Sequence, residues 1–107
     1  MASSVTRKAD FMIFTVEGEF SIFSIAEDFQ IFSNALAEVP GNILVDLSQV
    51  SEMDTSAVQL LLWLKKQCGD SSHITVDVRS GSSAEHLLKL YQLPETQLGK
   101  LVSTGQG

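Results

Sequence analysis

Apolar residues fall along this chain in short runs whose period switches between two and about four, and the switches mark out its elements. Phe11-Met12-Ile13-Phe14-Thr15-Val16 is a β-prone run of strand length. Glu17-Gly18-Glu19 then reads as a turn and Phe20-Ser21-Ile22-Phe23 as a second strand, which predicts a hairpin at one edge of a sheet. At Ser24 the period lengthens. Ser24-Ile25-Ala26-Glu27 has capping-box spacing, and Ile25, Phe29, Phe32, Leu36 and Val39 recur at helical intervals up to the stop at Pro40-Gly41. Residues 42–47 are nearly all apolar, as expected of a strand buried on both faces of a mostly parallel sheet. A strongly apolar helix over Thr55–Cys68 follows and stops at Gly69-Asp70-Ser71-Ser72.

His73–Arg79 alternates at period two, with Ile74, Val76 and Val78 on one face. Ser82-Ser83-Ala84-Glu85 offers a second capping box, opening a helix with Ala84, Leu87, Leu88 and Tyr91 along one side and an end at Leu93-Pro94. In the tail, Leu98, Leu101 and Val102 form one apolar group able to pack back on the core. The order β-β-α-β-α-β-α predicts a single α/β domain over residues 10–102, with a mostly parallel central sheet, an edge hairpin, right-handed connections and helices covering the sheet. Residues 1–9 and 103–107 are expected to be flexible ends.

Composition narrows the function classes. With 107 residues and 44% apolar content there is enough for one core. A formal charge of −6, with the few basic residues scattered, argues against nucleic acid or an anionic membrane surface as partner. Cys68 is the lone cysteine, so no internal disulfide can form and a reducing cytoplasm suits the chain. Residues 1–10 hold no apolar core of a secretory leader, and no apolar run reaches membrane-spanning length. A cytoplasmic location without membrane insertion is the expectation.

Candidate chemistry gathers where the central apolar strand meets the second helix. Asp54 precedes two adjacent hydroxyls, Thr55 and Ser56, at a helix N-terminus, where outward N–H groups tolerate negative charge. Asp54 or Thr55 is the N-cap. At ~100° per residue, Ala57, Leu60, Leu61, Leu64 and Cys68 share the face that must lie on the sheet, widened by Val58 and Leu62. Ser56, Gln59, Trp63 and Lys66 form the opposite stripe. A tryptophan there is either an interface anchor or packs under a flanking helix or the tail.

These residues carry a resemblance. Glu17-Gly18-Glu19-Phe20, Ile43-Leu44-Val45-Asp46-Leu47-Ser48, Val50, Met53-Asp54-Thr55-Ser56 and the Leu60-Leu61-Leu62 run together resemble the STAS domains, the fold of bacterial anti-sigma factor antagonists. The likeness covers about residues 10 to 102. It implies a non-enzymatic regulator, phosphorylated by a serine/threonine kinase on the hydroxyl behind the aspartate and restored by a phosphatase. The unmodified form would bind a downstream regulatory protein, in control of alternative sigma factors, stress and sporulation responses, biofilm formation or motility. Ala57 stands where that family usually has glycine, and alanine is the better helix former. Direct carry-over of the motif puts the acceptor at Thr55. If Thr55 is the cap, however, its hydroxyl is engaged and Ser56, a less hindered primary alcohol, projects freely, so Ser56 is expected as main acceptor and Thr55 as second. Asp54, Gln59, Trp63 and Lys66 are the expected partner contacts, and exposure of Trp63 would suit a homodimer.

Two rival readings remain. One is a constitutive STAS subunit of a lipid-transport or chemotaxis-type assembly, with the hydroxyl corner serving only as a cap. The other is a small enzyme or nucleotide binder, for which no constellation speaks. His73 and His86 lack zinc-site spacing, Cys68 falls on the buried helix face, and no phosphate-binding glycine motif exists. Glu17/Glu19 and Glu27/Asp28 read as ordinary solvated carboxylates. Neither cofactor nor metal is expected.

Overall fold

The computed structural model describes residues 2–38, 40–70 and 72–104. Its first element is one the apolar pattern missed: Ala2–Lys8 forms β1, antiparallel to β2, Phe11–Phe20. Val5 is its only large apolar residue, and the strand is held by the backbone ladder and by Ser3, whose Oγ donates to Asp28 at 2.6 Å. Most of residues 1–9 are therefore part of the sheet, and Met1 lies outside the described residues.

The edge hairpin exists, but between β1 and β2. Gly18, with φ of 78°, does not turn the chain. Pairing with β3 (Asn42–Met53) shifts register between Thr15 and Glu17 and again between Gly18 and Glu19. Bulges of this kind let one strand run on with a local kink. Phe20 thereby returns to the core fully buried, as Met12, Phe14 and Val16 are. The expected second strand yields only Phe20. Residues 21–24 make a turn closed by Ser24 N–H donating to Ser21 O at 2.9 Å.

Helix α1 spans Ile25–Ala35. Its capping box does not form. Ser24 Oγ is used inside the turn, accepting from Ser21 N–H and donating to Glu19 O. Phe32 is fully buried and stacks on Phe14, with ring centroids 4.3 Å apart. The helix ends well before Pro40, and Val39 lies outside the described residues. Asp28 is not a solvated carboxylate but is 2% exposed beneath β1.

The sheet has the order β1-β2-β3-β4-β5, with every pair after the first parallel. Strand β4 is His73–Arg79, and β5, Lys100–Thr104, takes up the tail. Residues 103 and 104 are thus strand, while 105–107 lie outside the described residues. Ile43, Val45 and Leu47 of β3 are buried, but Leu44 and Asp46 between them are only half-buried. Their neighbours Ile13, Thr15, Thr75 and Asp77 are half-buried too. The strand is therefore not buried on both faces: the helices cover one side of the sheet. The apolar density of residues 42–47 concealed an ordinary alternation.

Helices α2 (Thr55–Cys68) and α3 (Ser83–Tyr91) complete that layer, with a short α4 at Glu95–Leu98. Ala57, Leu60, Leu61, Leu64 and Cys68 are all buried, as the helical arithmetic requires. Burial pushes the Cys68 thiol up, so it is a poor nucleophile. Gly99 joins α4 to β5 at φ of 98°, where a Cβ would meet Ile74 O at 2.7 Å.

Ser82 caps α3, its Oγ accepting from Glu85 N–H at 3.1 Å. The Glu85 carboxylate accepts from Ser103 Oγ on β5 and from Gly81 N–H at 2.9 Å. These bonds, Ser103 first, lower its pKa from 4.5 to about 2, with Lys89 contributing. A carboxyl depressed on folding stabilises the fold above its unfolded value, and that contribution is lost as pH falls through the folded value. The loss should fall between about pH 4.5 and 2. Glu85→Gln should therefore show a smaller drop in urea midpoint between pH 5 and pH 2 than the wild type. Parallel curves would place the acid sensitivity elsewhere.

Candidate functional site

The N-terminus of α2 is built by three segments. Strand β3 delivers Asp54, whose N–H donates to Phe20 O at the end of β2. Asp54, in extended conformation, is the N-cap: its Oδ1 accepts from Ser56 N–H at 2.9 Å and Ala57 N–H at 3.4 Å. Its Oδ2 accepts from Ile22 N–H at 2.9 Å. One carboxylate thus fastens the helix start to the β2–α1 turn. The cap is settled in favour of Asp54 over Thr55.

Thr55 is the first helical residue, and it is exposed. Its Oγ1 lies 2.8 Å from Tyr91 Oη at the end of α3, so the threonine hydroxyl is engaged, though not as a cap. Ser56 is half-buried and points toward the groove between α1 and α2. There Ile22, Ile25, Phe29, Leu60 and Trp63 line with it an open apolar hollow of about 410 Å³, with Gln59 on its wall. Trp63 packs against the flanking helix α1, one of the two sequence readings. Its ring packs on Phe29 at 4.7 Å, yet it remains half-exposed and lines the hollow.

Asp54, Thr55, Ser56, Gln59 and Trp63 are thus neighbours. Lys66 lines a different hollow, with Leu62, Lys65 and Gln97: it lies one turn beyond Trp63 and ~15 Å along the helix from Ser56. Sequence reasoning missed the rim. Ile22 and Phe23, read as strand, stand 60% and 86% exposed in the turn. Phe29, placed in the apolar repeat of the first helix, is 42% exposed, and Tyr91 is 40% exposed. The surround is acidic, since Glu19 lies directly opposite Glu52 across β2 and β3, and Glu27 opens α1.

The profile of the STAS domain matches residues 2–94. The chain belongs to the STAS domain family. Its five-stranded sheet and element order are those of that fold. An anti-sigma factor antagonist from Mycobacterium paratuberculosis shares it with a TM-score of 0.74 at 19% identity, over 85% of this chain and 80% of that one. SpoIIAA, an anti-sigma factor antagonist solved in its unphosphorylated form, gives 0.63 at 16% identity over 97% and 90%. A sulfate transporter family protein from Wolinella succinogenes gives 0.64 at 15% identity over 91% and 82%. No curated protein sequence matches the chain. At these identities the likenesses speak for the fold. Among the described residues of this STAS domain, no group of three or more His, Cys, Asp or Glu could hold a metal ion, and no helix is long and apolar enough to cross a membrane.

Proposed function

We propose that this STAS domain is a non-enzymatic phospho-switch of the cytoplasm, binding a regulatory protein when unmodified and releasing it once a serine/threonine kinase phosphorylates the start of α2. A cognate phosphatase resets it. Its output is control of gene expression or of behaviour such as stress response, biofilm formation or motility. One observation carries this reading: an exposed hydroxyl on the first residue of a long helix, set between the protruding Ile22-Phe23 turn and the apolar hollow at Trp63. The structural likeness to anti-sigma factor antagonists supports it.

Of the two hydroxyls, Thr55 is the more exposed and follows Asp54 directly, so it is proposed as the acceptor, with Ser56 second. This reverses the order expected from sequence, which rested on Thr55 as a possible cap and on Ser56 as the less hindered alcohol. Phosphorylation adds roughly −1.5 to −2 charges. Asp54 already holds the Ser56 and Ala57 N–H groups, so the phosphate gains from the helix dipole rather than from free donors. The fold stays intact. A partner that covers the corner must desolvate the dianion, which costs several kcal/mol unless it is paired, against about −8 kcal/mol for a micromolar complex. Asp54, Gln59 and Trp63 are the proposed contacts around it, with Lys66 at the far end of the footprint.

The test is a binding comparison of Thr55→Ala, Thr55→Glu, Ser56→Ala and Ser56→Glu against partners recovered from the native cell extract, alongside phosphosite mapping. Thr55→Glu is expected to weaken the complex at least tenfold, about 1.4 kcal/mol, while Thr55→Ala retains it. Equal binding by all four would favour a constitutive assembly subunit, the reading to which the likeness with a sulfate transporter family protein lends support.

A further inference from the structure

The sole tyrosine of the chain stands where it can register the state of Thr55. The last turn of α3 is weakly anchored. Ala84 and Leu88 are buried, but Leu90 is 64% and Tyr91 40% exposed. The helix ends at Gln92 in the left-handed region, φ 51°, which a side chain other than glycine adopts at some cost. Among the described residues between Leu88 and Leu93, the side-chain hydrogen bond from α3 to the rest of the fold is Tyr91 Oη to Thr55 Oγ1, spanning 36 positions of sequence.

We infer that Tyr91 is a latch on Thr55, so that modification of the threonine shifts the end of α3 and the apolar surface of Leu90 and Tyr91. The inference rests on the proposed phosphorylation for its use, but the coupling itself exists without a kinase. Phosphoryl transfer from a nucleoside triphosphate forms a bond from phosphorus to Oγ1, releases the nucleoside diphosphate and sends the hydroxyl proton to a base. The ester oxygen left behind carries no proton and is a weak acceptor, so the 2.8 Å pair is lost if Thr55 was the donor and weakened if Tyr91 was. The stronger acceptors are then the phosphoryl oxygens, which draw Tyr91 outward from its present position. The switch would thus have two readable faces: the hollow beside Ser56 and the end of α3.

Because there is one tyrosine, its ring signals in an NMR spectrum of the full chain report on this position alone. Thr55→Val and Thr55→Glu are expected to move those signals and to raise hydrogen exchange at Lys89–Gln92 several-fold. Thr55→Ser, which keeps the hydroxyl, and Ser56→Ala should leave both close to wild type. Tyr91→Phe should reproduce the faster exchange with Thr55 intact. Unchanged Tyr91 signals and exchange in Thr55→Val and Thr55→Glu would overturn the latch, as would equal shifts in Ser56→Ala. A latch that responds in a protein whose partner binding ignores Thr55→Glu would defeat the phospho-switch and leave the coupling standing.

Discussion

Truncating Phe32 to alanine is expected to remove about 4 kcal/mol of stability and to lower the melting temperature by roughly 20 °C. The ring is fully buried, stacked on Phe14 at 4.3 Å and tilted against Phe20 at 6.5 Å. Phe14 lies within β2 and Phe20 ends it, so Phe32 ties α1 to the stretch of that strand between them. Its loss removes the transfer energy of the ring and leaves a cavity among rigid neighbours. Against a total of about 5–15 kcal/mol for a domain, that loss is a large share of the stability. Phe29→Ala, on the same helix but 42% exposed, should cost much less. Thermal melts of the two, followed by circular dichroism, check the contrast, and similar losses would contradict this packing.

Asp54→Ala should cost roughly 2 kcal/mol, the sum of a lost N-cap and one lost charge-assisted bond, or roughly 10 °C in melting temperature. The distinctive sign is spatial. Oδ1 serves Ser56 and Ala57 in α2, whereas Oδ2 serves Ile22 in the turn, so amides in separate elements should lose protection together. Asparagine is a good N-cap as well. Asp54→Asn should recover the helix start and only part of the bond to Ile22, since its amide presents a single acceptor oxygen. Hydrogen exchange at Ile22, Ser56 and Ala57 in both variants makes the measurement. If Ile22 stays protected in Asp54→Ala, the turn is held by its own serine bonds, and the aspartate is only a cap.

How far the sequence could be read depended on whether a residue's role was set by its neighbours in the chain. Helix α2 and strand β4 were found at their observed bounds, because period and flanking glycine act locally. The cap on α3 was legible for the same reason: Ser82 and Glu85 are three apart. Gly18 misled, because a glycine between two apolar runs looks the same whether it turns a chain or bulges a strand. Ser24 had cap spacing but found better partners in Glu19 and Ser21. Strand β1 was invisible, since one valine among polar residues gives no period and pairing with β2 supplies the order. At the site, Asp54, Thr55 and Ser56 could be singled out from their succession alone. That Thr55 touches Tyr91, and that Ile22 rather than solvent occupies the second oxygen of Asp54, depends on how separate elements meet.

The strand order across the sheet is also the order along the chain. Each strand therefore docks against the one made just before it, and none has to be threaded between two that are already joined. Growing sheets usually suffer from pairings that must wait for distant segments, which leaves apolar edges open to other molecules while they wait. Here the β1–β2 hairpin can form as soon as its residues exist, and each later crossover adds one strand at the free side. A ribosome releasing this chain from its first residue onward would expose only one advancing edge at any moment.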